Sequence, residues 1–280
     1  MPFPLLLAAA FAFTDANAEA AYAYASELLE NCTPRDAGSV RGKRAANWIL
    51  DKASSAGMEV RRDSFMADTP EGRKWMTNLV AEFKVDRDAE WVVLVSHFDT
   101  KPRTGCPGAN DGASTTGLLI ALGEALQQWR GKAPPSCNIM FIWTDGEECM
   151  YAYADSDGFW GSKHAAQSLK RRGLKVKAVI GLDMLGDTDL DIAMPENSDP
   201  ALMDMVEAAA KRCQVAVKRM DGKVKDDHAQ FAAVGYPAVD LIDFEYPYWH
   251  TPEDTLDHIS KDSLKKSGTL VAELVSDLIQ

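Results

Sequence analysis

Hydrophobic positions recur along the chain with two different periods. Apolar residues spaced three and four apart predict helices, whereas short apolar runs predict buried strands. The helical pattern occurs at 17–30, 38–56, 115–129, about 159–172, 199–212, 227–233 and 261–279. The second of these ends at Gly57, as helices commonly end at a glycine. The strand pattern occurs in NLVAEFKV, WVVLVSHF, NIMFIW, KAVIGLDML and AVDLIDF, and DLDIAM adds a further strand.

Strands alternate with helices, and several of the strands are apolar throughout. This order predicts an α/β fold of three layers, in which a mostly parallel, mixed central sheet is flanked by helices on both faces. The sequence contains no internal repeat, no low-complexity tract and no linker rich in Pro, Gly or Ser. We therefore predict a single catalytic domain at residues 15–280, preceded by an N-terminal extension at residues 1–14.

The N-terminal segment supports two interpretations. The run FPLLLAAAFAF followed by ANA has the character of an export signal with a small-residue cleavage site, so that residues 1–18 would be a cleaved leader. However, residues 1–10 contain no Lys or Arg. The alternative is a folded chain that starts near Asp15, with Asp15 as the N-cap of a helix. We expect a periplasmic or secreted protein, with a cytoplasmic location as the alternative.

Composition narrows the classes of partner. The formal net charge of −12 argues against nucleic acid or an anionic membrane as a partner, and it would favour a cationic ligand such as a peptide amine. No apolar run reaches the roughly 18 residues of a membrane-spanning helix, so we expect no stable membrane insertion. Five cysteines without a C-x-x-C pair argue against a disulfide framework and a zinc ribbon. The sequence leaves the oligomeric state open.

Polar residues that can bind a metal follow the predicted strands. In open α/β sheets the ligand crevice lies outside the carboxyl ends of the strands. Imidazoles and carboxylates from separate elements are the nitrogen and oxygen donors that zinc takes. A divalent cation would also cancel the repulsion within the Glu-Glu pair, so that one glutamate binds metal and the other is a general base or acid. The residues are His97, Asp99, Asp111, Glu147, Glu148, Asp183 and His250.

Taken singly, several of these residues have a structural explanation. Asp99 and Asp111 could be turn residues, and Asp183 could cap a strand. The segment TPED at 251–254 would begin a helix with Thr251 as its N-cap. The hypothesis of a metal site therefore rests on the whole set of residues at one edge of the sheet.

The order of these motifs resembles the M28 family of zinc aminopeptidases and, within that clan, the glutaminyl cyclases. The likeness runs from TPRDAGS near residue 33 to WHTPEDT near residue 250. The cyclases are the more similar group because a long loop separates the Glu-Glu pair from Gly161-Ser162, and because of DDHAQFAAVGYPAVDLI and LDMLG. The resemblance implies the phosphorylase/hydrolase-like fold of the zinc aminopeptidases.

For the function, the resemblance to the cyclases implies a zinc-dependent glutaminyl-peptide cyclotransferase of bacterial type. Such an acyltransferase converts the N-terminal glutamine of a peptide or protein to pyroglutamate and releases ammonia. Glu147 would shuttle the proton, and Asp183 and Asp226 would be its acidic hydrogen-bonded partners. A single zinc ion is implied, with the ligands Asp111, Glu148 and His250.

The resemblance also implies two residues of the substrate pocket. Trp249 would form one wall, and Tyr153 stands where the animal cyclases carry a tryptophan. Asp240 replaces a histidine of the animal enzymes, and in this it looks like the bacterial members.

An M28 aminopeptidase, which releases N-terminal amino acids with two zinc ions and an activated water, is the alternative. His97 and Asp183 would then bind a second metal, whereas in a cyclase His97 would be a hydrogen-bonded structural residue. In both cases we expect the Asp99 carboxylate to orient His97 without touching a metal itself. A metal-free binding domain is a third hypothesis, disfavoured because every residue of the motif is present.

Overall fold

The computed structural model describes residues 11–129, 135–154 and 156–280. Part of the expected N-terminal extension and export signal, residues 1–10, lies outside this range. The helices are α1 (Asp15–Cys32), α2 (Val40–Ser55), α3 (Thr115–Trp129), α4 (Trp160–Arg171), α5 (Pro200–Cys213), α6 (Asp227–Ala233) and α7 (Lys261–Leu278). The strands are β1 (Val60–Thr69), β2 (Gly72–Phe83), β3 (Trp91–His97), β4 (Asn138–Thr144), β5 (Val176–Asp183), β6 (Ala193–Pro195), β7 (Lys218–Met220) and β8 (Ala238–Ile242).

The described strands form one mixed sheet in the order β1-β2-β4-β3-β5-β8-β6-β7. The four central strands β4, β3, β5 and β8 are parallel, and so are β6 and β7. The pairs β1–β2, β2–β4 and β6–β8 are antiparallel. The predicted mostly parallel, mixed sheet is therefore confirmed.

Strand β3 shows how the sheet comes to be covered on both faces. Its side chains alternate between the two faces, as in any strand. Val92 and Leu94 pack into the main core with α1, α2, α3, α5 and α7, whereas Val93 and Val95 pack against α4 and α6. All seven residues of β3 are buried. A strand buried on both faces is uniformly apolar, which is why its position was predictable from sequence.

The N-cap of α1 lies one residue earlier than predicted. Thr14 is the N-cap, and its side chain accepts a hydrogen bond from the backbone N–H of Asn17, while the Asn17 side chain accepts one from the Thr14 N–H. Asp15 is the first helical residue, so the expectation that it caps the helix is wrong. Just before the helix, Phe11 and Phe13 are buried in the main core. No described helix combines the length and apolar character needed to cross a bilayer.

The sequence pattern failed at the edges of the sheet. Strand β1 was not predicted, because alternate residues such as Arg61 and Asp63 are polar and partly exposed. Strand β2 begins at Gly72, six residues before the predicted run, and its residues 72–81 pair with β1. The run DLDIAM contributes only its last two residues to β6. Edge strands cover one face of the core at most, so their sequences lack the continuous apolar pattern of the centre.

The contact between α1 and α3 offers a test of the packing. Gly117 lies where a Cβ atom would overlap the backbone carbonyl oxygen of Ala21. We expect Gly117→Ala to push the two helices apart and to lower the free energy of unfolding by about 1–3 kcal/mol. Denaturant unfolding measures this, with Gln128→Ala on the exposed face of α3 as the control. An unchanged unfolding midpoint for Gly117→Ala would mean that the helices separate without cost.

Candidate active site

The candidate site lies where the central parallel strands end. Strand β3 ends at His97, β4 at Thr144, and β5 at Asp183. Because these strands are parallel neighbours, their carboxyl ends lie along one edge of the sheet. The loop that follows β8 brings His250 back to the same edge. The structure thus brings together the polar residues that the sequence places after separate strands.

The Glu-Glu pair follows β4 in a tight turn at Gly146, whose φ is 85°. The Asp99 carboxylate holds this turn from the neighbouring loop. Its Oδ1 accepts the backbone N–H of Glu147 at 3.1 Å, and its Oδ2 accepts that of Glu148 at 3.2 Å. Asp99 Oδ1 lies 3.6 Å from Nδ1 of His97, beyond hydrogen-bond distance. The observed hydrogen bonds of Asp99 therefore fix the glutamate pair, while its expected effect on His97 stays a prediction.

Asp111 belongs to three groups of potential metal ligands; one also contains Cys106 and Asp254, and the other two are triads that each contain a histidine. In the first, Nε2 of His250 lies 3.1 Å from Glu148 Oε1 and 3.4 Å from Asp111 Oδ2. In the second, Nε2 of His97 lies 3.2 Å from both Asp111 Oδ1 and Asp183 Oδ1. In each triad one donor atom per residue falls within 4.8 Å of the others. The geometry thus contains both the predicted cyclase ligand set and the additional set of the peptidase alternative.

Asp111 is held by two residues that sequence reasoning missed. The first is Asp254, whose carboxylate accepts the backbone N–H groups of Asn110 at 2.8 Å and Asp111 at 3.2 Å. Residues 251–253 lie in a bend and a turn, and Asp254 has no regular secondary structure, so TPED does not begin a helix. The Asp254 carboxylate is thus bound to the Asp111 loop instead of to a helix of its own.

Arg35 is the second residue that holds the loop of Asp111, through hydrogen bonds to its backbone carbonyl groups. Its guanidinium is fully buried and donates to the backbone carbonyl oxygens of Gly108 at 2.6 Å, Pro107 at 2.7 Å and Asp111 at 3.3 Å. A charged group buried in this way is stable only when its donors are satisfied. Arg35 lies in the TPRDAGS turn, and more than 60 residues separate it from the carbonyl groups it binds. No local sequence signal indicates such a contact.

Tyr153 and Trp249 contact the ligand side chains themselves. The Tyr153 hydroxyl donates to Glu148 Oε2 at 2.6 Å and lies 3.3 Å from Glu147 Oε2. The Trp249 ring stacks on the imidazole of His250, with 4.0 Å between ring centroids. His250 has a φ of 59°, a left-handed conformation that points to a constrained position. Tyr153 and Trp249 also line a pocket beside these ligands, and their contact with a substrate stays a prediction.

The two adjacent glutamates lie in different electrostatic environments. Burial raises the pKa of Glu147 well above its usual value, and the charge of Glu148 raises it further. Burial also opposes the ionisation of Glu148, but the hydrogen bond from His250 and its charge lower the Glu148 pKa to about 2. When the environments of two carboxyl groups shift their pKa values in opposite directions, one group can carry a proton while the other stays ionised. Glu147 is the group suited to carry a proton.

A second acidic group lies beside the triads. Asp226 has donor atoms within 4.8 Å of those of His228 and Asp240, and Nδ1 of His228 lies 3.2 Å from Asp240 Oδ2. Burial and the charge of Asp240 raise the pKa of Asp226 well above its usual value. Burial and the charge of Asp183 raise the pKa of Asp240 to about 8. At neutral pH these carboxyl groups therefore tend to hold protons, and they can donate as well as accept hydrogen bonds.

These groups surround a pocket of about 160 Å³. Its volume is below the roughly 300–1,000 Å³ of sites for drug-sized ligands, and it suits a single amino-acid residue. The pocket is lined by the buried side chains of Asp111, Glu147, Asp183 and Asp226, which we call its floor, and by the more exposed Tyr153 and Trp249, which we call its walls. The predicted catalytic and substrate-binding residues are thus gathered around one cavity.

Comparison with known proteins gives a consistent family. The model of peptidase family M28 matches residues 78–275. The crystal structure of an Acidobacteriales bacterium glutaminyl cyclase is 33% identical, with a TM-score of 0.88, and the match covers 100% of this chain and 99% of that one. A glutaminyl-peptide cyclotransferase-like protein of Bos taurus is 26% identical over 90% of this chain and 73% of its own length. Leucine aminopeptidase 1 of Fusarium vanettenii is 26% identical over 85% of this chain and 64% of its own length. This chain belongs to peptidase family M28.

Proposed function

We propose that this protein is a zinc-dependent glutaminyl-peptide cyclotransferase, which acts on the N-termini of peptides or proteins. The observation that carries the proposal is the likeness to a bacterial glutaminyl cyclase over the whole length of both chains, at 33% identity. The one-residue pocket and the separation of Glu147 from Glu148 in pKa support it.

The residues of the first triad fit a zinc ion. Ligands at the 2.0–2.1 Å typical of zinc lie about 3.3 Å apart when they are arranged as a tetrahedron. The two donor separations from His250 in this triad are 3.1 and 3.4 Å. Asp111 Oδ2 is buried and has no hydrogen-bond partner among the described residues, as a metal ligand would. Asp111, Glu148 and His250 would therefore hold one zinc ion, as the resemblance to the cyclases implies.

When bound, zinc supplies Lewis acidity, which polarises the γ-amide carbonyl of the substrate and stabilises negative charge on its oxygen. The chain's own groups manage the protons. The α-amine of glutamine attacks its own γ-amide carbon, and Glu147 accepts a proton from that amine. Glu147 then gives the proton to the amide nitrogen as the carbon–nitrogen bond breaks, so that ammonia leaves and the lactam ring remains.

Orientation supplies the rest of the catalysis, because nucleophile and electrophile belong to one residue. Asp183 and Asp226 line the pocket beside Glu147 and can hydrogen-bond to the N–H groups of the amine and of the leaving amide. Trp249, stacked on His250, and Tyr153 form apolar walls that hold the side chain in a curled conformation.

The second candidate is an aminopeptidase, favoured by one observation, the triad of His97, Asp111 and Asp183. In that case a second metal would bind there and activate a water. The two functions differ in product. Mass spectrometry of a peptide beginning with Gln and of a matched peptide beginning with Leu, each incubated with the zinc-loaded protein, distinguishes them.

For a cyclase, the Gln peptide loses one ammonia and the Leu peptide stays intact. Loss of the complete first residue from either peptide would replace the cyclase by the aminopeptidase. No change in either peptide would contradict both activities and favour a binding protein.

Tyr153 is expected to affect zinc affinity as well as substrate binding. Its hydroxyl donates a hydrogen bond to Oε2 of Glu148, the carboxylate oxygen that does not face His250. Loss of such a partner typically costs about 10–100-fold in metal affinity. We expect this loss for Tyr153→Phe in a competition titration with a zinc chelator. Tyr151→Phe, at an exposed tyrosine two residues away, is the control. If both variants bind zinc equally well, Tyr153 serves only as a wall of the pocket.

We also propose export to the periplasm or the exterior. The support is the apolar run that begins at residue 3. The small-residue site at 16–18 lies within the first turn of α1, and Ala18 is buried in the main core, so the proposal does not include cleavage at that site. Fractionation of cells that express the full sequence tests this, and retention of the whole protein in the cytoplasm would contradict it.

A further inference from the structure

The mouth of the pocket differs in charge from its floor. The floor is made of buried carboxyl groups, whereas the segment Lys223–Val224–Lys225 forms one side of the mouth. Both lysines are exposed, while Val224 between them is buried. A peptide whose first residue occupies the floor passes Lys223 and Lys225 when it leaves along this side. The order of groups from floor to mouth therefore matches an N-terminal residue held among hydrogen-bonding carboxyl groups and followed by an anionic side chain.

The basic segment has a fixed backbone. The side chain of Asn197 accepts the Val224 backbone N–H at 2.9 Å and donates to the Val224 carbonyl oxygen at 2.9 Å. Lys225 Nζ donates to the backbone carbonyl oxygen of Tyr153 at 3.2 Å, which ties it to the wall of the pocket. A subsite on a fixed backbone loses less entropy on binding than one on a mobile loop.

The two lysines are also free of carboxylate partners within the part of the chain that the structure describes. Elsewhere on the surface, basic residues commonly pair with acidic ones: Lys218 with Asp191, for instance, and Lys265 with Asp15. In a chain with a net charge of −12, these two lysines are the basic residues among the lining of a pocket that otherwise carries carboxyl groups. Neither ammonium group is engaged in an ion pair with a described residue, so each can pair with an acidic group of a ligand.

An aromatic pair completes the mouth. Phe244 and Trp249 are 40% and 39% exposed, and their ring centroids lie 5.8 Å apart. Both line the same pocket as the lysines. The aliphatic part of a glutamate side chain, or the peptide backbone, can pack on these rings while the carboxylate reaches a lysine.

We propose that Lys223 and Lys225 form a subsite for an acidic side chain at the second or third position of the substrate, so that the preferred substrates are peptides with Glu or Asp after the N-terminal Gln. This inference rests on the proposed cyclase function. The partners are ammonium groups near the surface, so the preference is modest and depends on ionic strength.

The test compares kcat/KM for cyclisation of Gln-Ala-Ala, Gln-Glu-Ala, Gln-Ala-Glu and Gln-Lys-Ala peptides by the zinc-loaded protein. At low salt we expect one of the acidic peptides to exceed Gln-Ala-Ala by about two- to fivefold, mainly through a lower KM, and Gln-Lys-Ala to be the poorest substrate. In high salt the differences should shrink.

The variant Lys223→Gln/Lys225→Gln should lose the preference for acidic residues, so that its kcat/KM for Gln-Glu-Ala and Gln-Ala-Glu falls to its kcat/KM for Gln-Ala-Ala. The matched control, Lys175→Gln/Lys211→Gln, removes the same charge at exposed positions outside the pocket and should keep the preference. Equal kcat/KM for acidic and neutral peptides, or a preference that survives in the first variant, overturns the inference. Absence of cyclisation for all four peptides instead refutes the proposed function.

Discussion

Glu147→Gln is expected to keep its zinc and to lose about 10²–10⁴-fold in kcat, the typical contribution of general acid–base catalysis. The amide has the shape of the carboxylate, so the pocket and the hydrogen bonds of Asp99 to the backbone of the Glu147–Glu148 pair should remain. Glutamine cannot accept the amine proton or return it to the leaving ammonia. Because substrate binding does not need the proton transfer, KM should change far less than kcat.

The neighbouring variant Glu148→Gln serves as the comparison. It makes the same chemical change one residue away, but on the group whose Oε1 lies 3.1 Å from His250 Nε2. We expect it to lose zinc, whereas Glu147→Gln does not. Elemental analysis of both purified variants, together with steady-state kinetics, separates the two roles. A Glu147→Gln protein with near-normal kcat would exclude Glu147 as the proton carrier.

The sequence predicted the centre of the molecule well for a physical reason. Strands β3, β4, β5 and β8 are buried on both faces, so an apolar run identifies each, and the polar residues after them stand out. His97, Asp183 and the Glu-Glu pair could thus be placed at one edge of a sheet from the amino-acid pattern alone. The strand order could not, because order depends on pairings between distant segments.

The residues that hold the metal-binding loops in place could not be predicted either, because they too depend on contacts between distant segments. Asp254 binds the backbone of Asn110 across 144 residues of sequence. Arg35 binds carbonyl groups, which every residue possesses, so no residue type marks its partners. The resemblance to a family supplied the ligand roles, and the structure added the hydrogen bonds that position those ligands. The residues proposed to bind the metal could thus be named from the sequence and its resemblance to a family. The residues that hold those ligands in place could be identified only from the structure.

His250→Asn is expected to abolish zinc binding under ordinary assay conditions and, with it, activity. Loss of a group that only contacts a ligand costs about 10–100-fold in metal affinity, so loss of a ligand should cost more than about 100-fold. Asparagine is chosen because it tolerates the left-handed backbone at this position, where φ is 59°. The fold should therefore persist, with thermal stability reduced by the stabilisation that bound zinc contributes.

His97→Asn is the matched variant, since the His97 imidazole faces the other oxygen of Asp111 at 3.2 Å. For a cyclase with one zinc ion, the unchanged protein binds one equivalent, His97→Asn also binds one, and His250→Asn binds none. For a two-zinc aminopeptidase, the unchanged protein binds two equivalents and each variant loses at least one. The zinc stoichiometry of the three proteins decides between these outcomes. Asp111 lies between the two histidines, and the number of bound ions shows whether it binds zinc together with His250 alone or also together with His97.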